Sequence, residues 1–193
     1  MPLDQWLRRQ VWRRPILVLI IALAAGLIAW AQYAGVLPTP PSAVQQATYH
    51  GRTFLVTRVV DGDTLIVQAP DSDDTVRVRL WGIDTPERAM PDPENPGRML
   101  PAEPFAEEAT QRARELCEGK QVRLLIESHR VRDRYDRLLA HVELPDGTLL
   151  AEVLLLEGLA RADDRWPHSR LERFAMIEQQ ARRSRTGLWA TVP

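Results

Sequence analysis

The apolar and polar residues of this chain change their pattern twice along its length. Residues 16–37 are apolar except for Gln32. A membrane-spanning helix needs about 20 mostly apolar residues, so residues 16–37 are predicted to form a transmembrane anchor or a signal segment. Residues 38–49 carry no charge and no periodicity and contain three prolines, which is typical of a semi-extended linker. The folded domain is therefore predicted to span residues 50–190.

Within that domain, short β-branched runs with a period of two predict strands. Asp61 and Gly62 stand between the first two runs and suit a tight hairpin turn. The first three strands are therefore expected to form an antiparallel meander. The five predicted strands cover residues 53–60, 64–68, 75–81, 121–127 and 138–144.

Three further segments have the pattern of helices, at residues 105–118, 149–157 and 170–185. Glycines follow the first two, as is common at helix C-termini, and Ser169 and Glu172 have the spacing of a capping box for the third. Five strands and three helices predict an α+β domain, built as a small closed barrel with helices packed beside it.

The charge distribution indicates how the chain is oriented. The formal net charge is only −1, but residues 1–15 hold four arginines and one aspartate, and no Lys, Arg, Asp or Glu follows before residue 52. By the positive-inside rule, residues 1–15 form a basic cytoplasmic lead and the domain lies outside the cytoplasm. An uncleaved anchor and a signal peptide cleaved near Ala29–Ala31 both fit. The length of the apolar run favours the anchor.

The cysteine and histidine content limits the kinds of site that are possible. A single cysteine, Cys117, excludes an intrachain disulfide and any multi-cysteine zinc site, and its place on an amphipathic helix predicts a core residue. The four histidines lack zinc-site spacing along the chain. These are His50, His129, His141 and His168.

Acidic residues recur in two separated blocks, residues 61–64 and residues 84–87, with Arg79 between them. An arginine-dense stretch follows at residues 130–137. Carboxylates are calcium ligands, and arginine forks match phosphate oxygens, so these groups suit metal-assisted phosphodiester hydrolysis. Taken one at a time, they are more typical of hairpin turns and surface ion pairs than of a catalytic site.

Three blocks, occurring in order, resemble the signatures of the staphylococcal nuclease (thermonuclease) family. They are VVDGDTLIV, RLWGIDTPE and RDRYDRLLA, and two later stretches, DGTLLAEVLLLEGLARA and TGLW, are also similar to that family. The resemblance implies a five-stranded OB-type barrel with three helices, which agrees with the independent count of elements. It also implies a Ca²⁺-dependent endonuclease that acts on DNA and RNA, with no obligate protein partner expected.

The resemblance also assigns roles to individual residues. Asp63 and Asp84 match the calcium carboxylates, and Thr85 matches a residue that lends its backbone carbonyl. Asp61 matches a nearby acidic position outside the direct ligands. The catalytic positions are Glu87, which matches the carboxylate that activates or positions water, and Arg79 and Arg137, which match the arginines that grip the scissile phosphate.

Two departures from the family pattern bear on activity. Asp136 stands where many members have glycine, next to Arg137. Asp164 and Trp166 fall where the family nuclease has tyrosines that stack on the nucleotide, and of these two only Trp166 can stack. The sequence predicts a membrane-tethered nuclease outside the cytoplasm. A non-catalytic family module that binds nucleic acid or protein, and a tethered structural domain, are the alternatives.

Overall fold

A computed structural model of the chain describes residues 18, 21–27, 30, 41–69 and 73–190. The chain divides into two compact units, residues 1–44 and residues 45–193. The predicted membrane segment, residues 16–37, lies mostly outside the described residues, and its described residues are helical. Among the residues that are described, no helix has both the length and the apolar character needed to cross a membrane.

The segment predicted as a semi-extended linker is in fact helical over most of its length. Helix α1 covers Pro41–Tyr49, so that interpretation of residues 38–49 was wrong for residues 41–49. Proline is favoured in the first turn of a helix, because the N–H that it lacks would have no partner there. Alanine and glutamine residues follow and propagate the helix. Proline content alone therefore misled the prediction.

Among the described residues, nine strands follow α1 and are numbered in chain order. They are β1 (Thr53–Asp61), β2 (Thr64–Gln68), β3 (Thr75–Leu80), β4 (Ile83–Asp84), β5 (Met90–Pro91), β6 (Met99–Leu100), β7 (Gln121–Leu125), β8 (Leu138–Glu143) and β9 (Arg161–Ala162). Five of them close a barrel in the order β1-β2-β3-β8-β7. All neighbouring pairs are antiparallel except β3 and β8. The five predicted strands and the meander of the first three are confirmed.

The three predicted helices are also confirmed, each within two residues at either end. They are α2 (Ala106–Cys117), α3 (Leu150–Leu156) and α4 (Leu171–Arg183), and a short 3₁₀ helix follows at Gly187–Trp189. The predicted capping box is wrong. Helix α4 starts one residue later than expected and has no side-chain cap, because Ser169 donates instead to the Glu127 carboxylate.

A single apolar core fills the barrel and continues under the helices. Inward-facing residues of β1, β2 and β3 are buried, among them Val56, Leu65 and Val78. Cys117 on α2 belongs to the same core and is fully buried, as predicted. Two short pairs lie outside the barrel, β4 with β9 and β5 with β6. The first pair fixes Asp84 opposite Arg161. The next residue, Thr85, lies against Gly62 in the turn that joins β1 and β2.

Candidate active site

The site is built around the tight turn that joins β1 to β2. Asp61 ends β1, and Asp63 directly precedes β2. A Cβ atom on Gly62 would lie 2.8–2.9 Å from side-chain atoms of Thr85, so only glycine allows the chain after β4 to come this close. The turn predicted from Asp61 and Gly62 therefore also brings the two acidic blocks together.

Asp63 is almost fully buried and is held by several hydrogen bonds. Its Oδ2 accepts from both the backbone N and the Oγ1 of Thr85, at 3.0 Å each. Its Oδ1 accepts from Thr64 Oγ1 at 3.2 Å, and its own backbone N donates to Asp61 Oδ1 at 3.2 Å. The carboxylate of Asp63 is thus fixed in direction before any ligand arrives.

Arg79 lies between the two predicted calcium carboxylates. It pairs with Thr64 across β2 and β3, and its guanidinium forms ion pairs with Asp63 and with Asp84, the latter at 2.6 Å from Nη2 to Oδ1. Burial lowers the pKa of Arg79, while the charge of Asp84 opposes that shift. Two carboxylates from separate blocks therefore share one part-buried cation.

Arg137 enters the same region from the start of β8, where its Nη1 lies 3.4 Å from Thr64 Oγ1. The residue before it, Asp136, has a positive φ of 62°. Asparagine and aspartate tolerate that conformation better than most residues other than glycine. The Asp136 side chain is exposed and contacts Arg132. Asp136 therefore adopts the same left-handed backbone conformation that a glycine at this position would adopt.

Glu87 lies on the exposed side of this group of residues. Its backbone N donates to Glu103 Oε2 at 3.3 Å, and its carbonyl accepts from the Glu103 backbone N at 2.9 Å. Partial desolvation and repulsion from Asp61 raise the pKa of the Glu87 carboxyl, and Arg79 acts in the opposite direction. Glu87 and Glu103 stand at the two ends of the loop that contains β5 and β6, and the hydrogen bonds between them fix the position of Glu87.

All seven residues predicted for the site therefore come together at one end of the barrel. Direct contacts join Asp63 to Asp61, Thr85 and Arg79. Arg79 in turn contacts Asp84. The positive charge of Arg137 lies close enough to lower the pKa of Arg79, and the charge of Arg79 lies close enough to lower the pKa of Glu87. The contact that Thr85 makes to Asp63 comes from its N–H and hydroxyl, whereas the predicted role uses its carbonyl.

A cleft of about 290 Å³ opens beside these residues. Trp166 borders it, with about half of its surface exposed, and the Arg130 guanidinium lies 4.0 Å from the centre of the Trp166 ring. The cleft is also lined by Arg79, Arg137, Tyr135, Asp163 and Arg165. Its mixture of arginines and exposed rings suits a negatively charged ligand with flat aromatic groups.

The structure adds residues that sequence reasoning missed. Asp133 accepts hydrogen bonds from Arg137 through both of its carboxylate oxygens. The sequence indicated only that the arginine-rich stretch would form ion pairs at the surface. Glu103 holds the backbone of Glu87 through two hydrogen bonds. Glu127, His141 and His168 form a compact group elsewhere in the domain. Their spacing along the chain is irregular, so the pairing of the strands was needed to find them.

Comparison with known proteins agrees with the geometry. The family model described as "Staphylococcal nuclease homologue" matches residues 77–191. The chain is 32% identical over 175 residues to the thermonuclease of Staphylococcus intermedius, a match that covers 89% of this chain and 95% of that protein.

Two further relatives carry endonuclease names. Endonuclease YncB of Bacillus subtilis (strain 168) is 35% identical over 135 residues, or 69% of this chain and 59% of that protein. A protein named "Uncharacterized endonuclease" from Escherichia coli O157:H7 is 32% identical over 144 residues, or 75% of this chain and 79% of that protein. With its barrel and its grouped acids and arginines, the chain therefore belongs to the staphylococcal nuclease family and is a nuclease.

Proposed function

We propose that this protein is a calcium-dependent endonuclease that hydrolyses phosphodiester bonds in DNA, RNA or both. The observation that supports it most strongly is the shared pairing of Asp63 and Asp84 with Arg79. Such an arrangement places two acids and a phosphate-binding fork within one small region. A merely structural domain has no need to concentrate these groups in a part-buried position.

The residues present fit a calcium ion. Asp63 and Asp84 are close enough to contact one guanidinium, so one cation can bind to both. Their ligand atoms are oxygens, which hard cations prefer. In this proposal Thr85 contributes its carbonyl. The Asp61 carboxylate does not bind the ion directly and instead accepts a hydrogen bond from the backbone N–H of Asp63. The bound ion would supply positive charge at the phosphate and its neighbouring oxygens.

The chain's own side chains account for the remaining chemistry. Arg79 and Arg137 offer planar forks to the phosphate oxygens, where negative charge increases as the bond to the leaving oxygen breaks. Glu87 accepts a proton from the attacking water or orients it. The raised pKa of Glu87 makes it a stronger base than an ordinary glutamate, as proton abstraction requires.

The cleft favours nucleic acid whose bases are not stacked in a duplex. The exposed ring of Trp166 can stack on a base, and Tyr135 lines the same cleft, with the guanidinium groups of Arg134 and Arg137 near its ring. Base-to-aromatic stacking contributes about 1–3 kcal/mol per base and tolerates any sequence. Single strands are therefore the expected preferred substrate.

The location of the protein is proposed from its sequence. Residues 16–37 act as a membrane anchor, residues 1–15 stay in the cytoplasm, and the nuclease domain lies outside it. A cleaved signal segment would instead release the domain. The mass of the mature protein distinguishes the two, because cleavage near Ala31 removes about 30 residues.

One assay tests the activity and its mechanism together. Purified full-length protein is incubated with single-stranded DNA in calcium, then with a chelator, and the Glu87→Gln variant is assayed in calcium. We expect cleavage only by the unaltered protein in calcium. Glu108→Gln, at a solvent-exposed position of helix α2, is the matched control and should retain activity.

The alternatives give different results in that assay. Cleavage that survives both the chelator and Glu87→Gln contradicts the proposed mechanism. If the folded protein binds DNA and never cleaves it, the chain is a non-catalytic binding module, the second function that the sequence leaves open.

A further inference from the structure

Arg165 lies on the cleft beside the active site, yet neither the calcium site nor the phosphate chemistry proposed above uses it. It comes three residues after β9 and lines the cleft together with Arg79 and Arg137. Its Nη2 lies 3.8 Å from Oδ2 of Asp84. Because its side chain is 65% exposed, a ligand that enters the cleft can reach its guanidinium.

Asp163 holds Arg165 in one orientation. Its Oδ1 accepts from the backbone N of Arg165 at 3.1 Å and from Nε at 2.7 Å, and its Oδ2 accepts from Nη2 at 2.8 Å. Asp163 is itself fixed, since its backbone N donates to the Gly82 carbonyl at 2.9 Å and its side chain is only 15% exposed. Arg165 is therefore oriented before any ligand arrives.

The same arrangement holds Arg137, which we assign to the scissile phosphate. Asp133 accepts from both the backbone N and the Nε of Arg137, just as Asp163 accepts from both atoms of Arg165. In each case an aspartate earlier in the chain fixes an arginine that lines the same cleft. Exposed ion pairs contribute little to stability, so orientation of the guanidinium explains this arrangement better than stability does.

The hydrogen bonds to Asp163 leave one edge of the Arg165 guanidinium free. They occupy Nε and one hydrogen of Nη2, and Nη1 has no hydrogen-bond partner among the described residues. Two parallel N–H donors, one from Nη1 and one from Nη2, match two oxygens of a phosphate. The next residue in the chain is Trp166, whose exposed ring borders the cleft.

We propose that Arg165 binds a phosphate next to the scissile one, on the nucleotide whose base stacks on Trp166. The inference rests on the proposed nuclease function and extends its substrate by one nucleotide along the cleft. Arg79 contacts Oδ1 of Asp84 and Arg165 approaches Oδ2, which places the carboxylate between the two guanidinium groups. The phosphate at Arg165 is therefore a different one from the phosphate at Arg79.

Such a contact affects binding rather than chemistry. The neighbouring phosphate carries the same charge before and during bond cleavage, so Arg165 stabilises the bound substrate and the transition state equally. Loss of an interaction of this kind raises KM and leaves kcat unchanged. We therefore expect Arg165→Gln to raise KM for single-stranded DNA by about tenfold, as for one lost hydrogen-bonded charge contact, with the same kcat.

Binding without cleavage tests the contact directly. Fluorescence anisotropy of a labelled single-stranded oligonucleotide is measured in calcium on protein that carries Glu87→Gln, which suppresses cleavage. Adding Arg165→Gln should weaken binding by about tenfold and reduce the slope of log affinity against log salt by about 0.7, the value for one phosphate of a single strand. Arg165→Lys keeps the charge but not the fork, so it should keep the slope and recover only part of the affinity.

Arg123→Gln is the matched control for these measurements. Arg123 also donates two hydrogen bonds to one carboxylate, that of Glu143, and its side chain is 50% exposed. It lies on β7 and is not among the residues that line the cleft. Its loss should leave affinity and salt dependence unchanged. Thermal melts should show that each variant remains folded.

Dinucleotides with a single cleavable linkage locate the phosphate. They are supplied without a terminal phosphate, with a 5′-phosphate or with a 3′-phosphate. We expect one of the two terminal phosphates to lower KM for the unaltered protein by about tenfold and to give no advantage with Arg165→Gln, because both changes remove the same contact. The form without a terminal phosphate should be cleaved equally by both proteins.

Two results would overturn the proposal. If Arg165→Gln binds single-stranded DNA with unchanged affinity and salt dependence, Arg165 and Asp163 form a surface ion pair only. If its deficit is equal for all three dinucleotides, Arg165 acts at the scissile phosphate or the calcium ligands instead. Failure of the proposed function looks different: no protein cleaves any substrate, while the anisotropy measurements still decide whether Arg165 binds a phosphate.

Discussion

Arg137 binds both oxygens of the Asp133 carboxylate, from Nε to Oδ2 at 2.7 Å and from its backbone N–H to Oδ1 at 3.0 Å. One aspartate thus fixes the backbone and the side chain of an arginine that we assign to the phosphate. Hydrogen bonds to charged groups contribute about 1.5–3 kcal/mol. We expect Asp133→Ala to lower kcat/KM by about 10- to 100-fold, measured on single-stranded DNA. Asp136→Gly, in the same loop, is the control and should change activity little.

The same pair predicts a pH dependence of stability. Burial alone would raise the pKa of Asp133, but hydrogen bonds from Arg137 and Tyr135 outweigh it and lower the pKa below 3.8. A lowered folded pKa means that the stabilisation is complete above 3.8 and is lost as the pH falls through the folded value. Thermal melts should therefore show a constant deficit for Asp133→Asn from pH 7 to about pH 5 that shrinks below pH 3.8. A deficit that stays constant to pH 2 contradicts this.

The position of Arg79 predicts an effect on calcium binding. Its guanidinium pairs with the same carboxylates that we propose as calcium ligands, so the arginine competes with the ion in the free protein. Arg79→Gln should tighten calcium binding by about tenfold, equivalent to about 1.4 kcal/mol, in calorimetric titrations without substrate. Arg137→Gln, whose arginine pairs with Asp133, should change calcium affinity much less. Weaker binding by Arg79→Gln would show that Arg79 does not compete.

Gly62 predicts a steric effect at the turn between β1 and β2. An added Cβ would overlap the Thr85 side chain, which cannot rotate away without losing the hydrogen bond that its Oγ1 donates to Asp63. Overpacking of this kind costs about 1–3 kcal/mol. Gly62→Ala should lower the melting temperature and weaken calcium binding together. Adding Thr85→Ser removes the contacting Cγ2 methyl group and should recover part of the stability.

Cys117 should be chemically inert in the folded protein. Burial raises the pKa of its thiol to about 12, so the reactive thiolate is scarce at neutral pH, and its side chain is fully buried in the core. Iodoacetamide at pH 8 should leave the native protein unmodified by mass spectrometry and alkylate it fully after denaturation. Rapid modification of the native protein would show that α2 opens readily.

Local sequence patterns were sufficient to predict most of the fold. Strands β1, β2 and β3 and the three helices of the domain have periodicities that depend only on which side chains face the core, so each could be placed within two residues. Two local rules failed. Pro41 begins a helix although it lies in a proline-rich stretch, and Ser169 bonds to Glu127 rather than to the helix that follows it. In the second case a distant carboxylate outcompeted the local partner.

The sequence by itself determined the identity of the acids and arginines of the candidate site, because their blocks are short, specific and in a fixed order. Only the tertiary structure decided which of these side chains form hydrogen bonds with one another. Hydrogen bonds join Asp63 to Thr85 across 22 positions, Glu127 to Ser169 across 42, and His141 to Glu127 across 14. Such contacts depend on how the strands close into a barrel, and no spacing rule along the chain encodes them. For that reason His141 and His168, which lack zinc-site spacing along the chain, lie side by side in the fold, with ring centroids 5.5 Å apart.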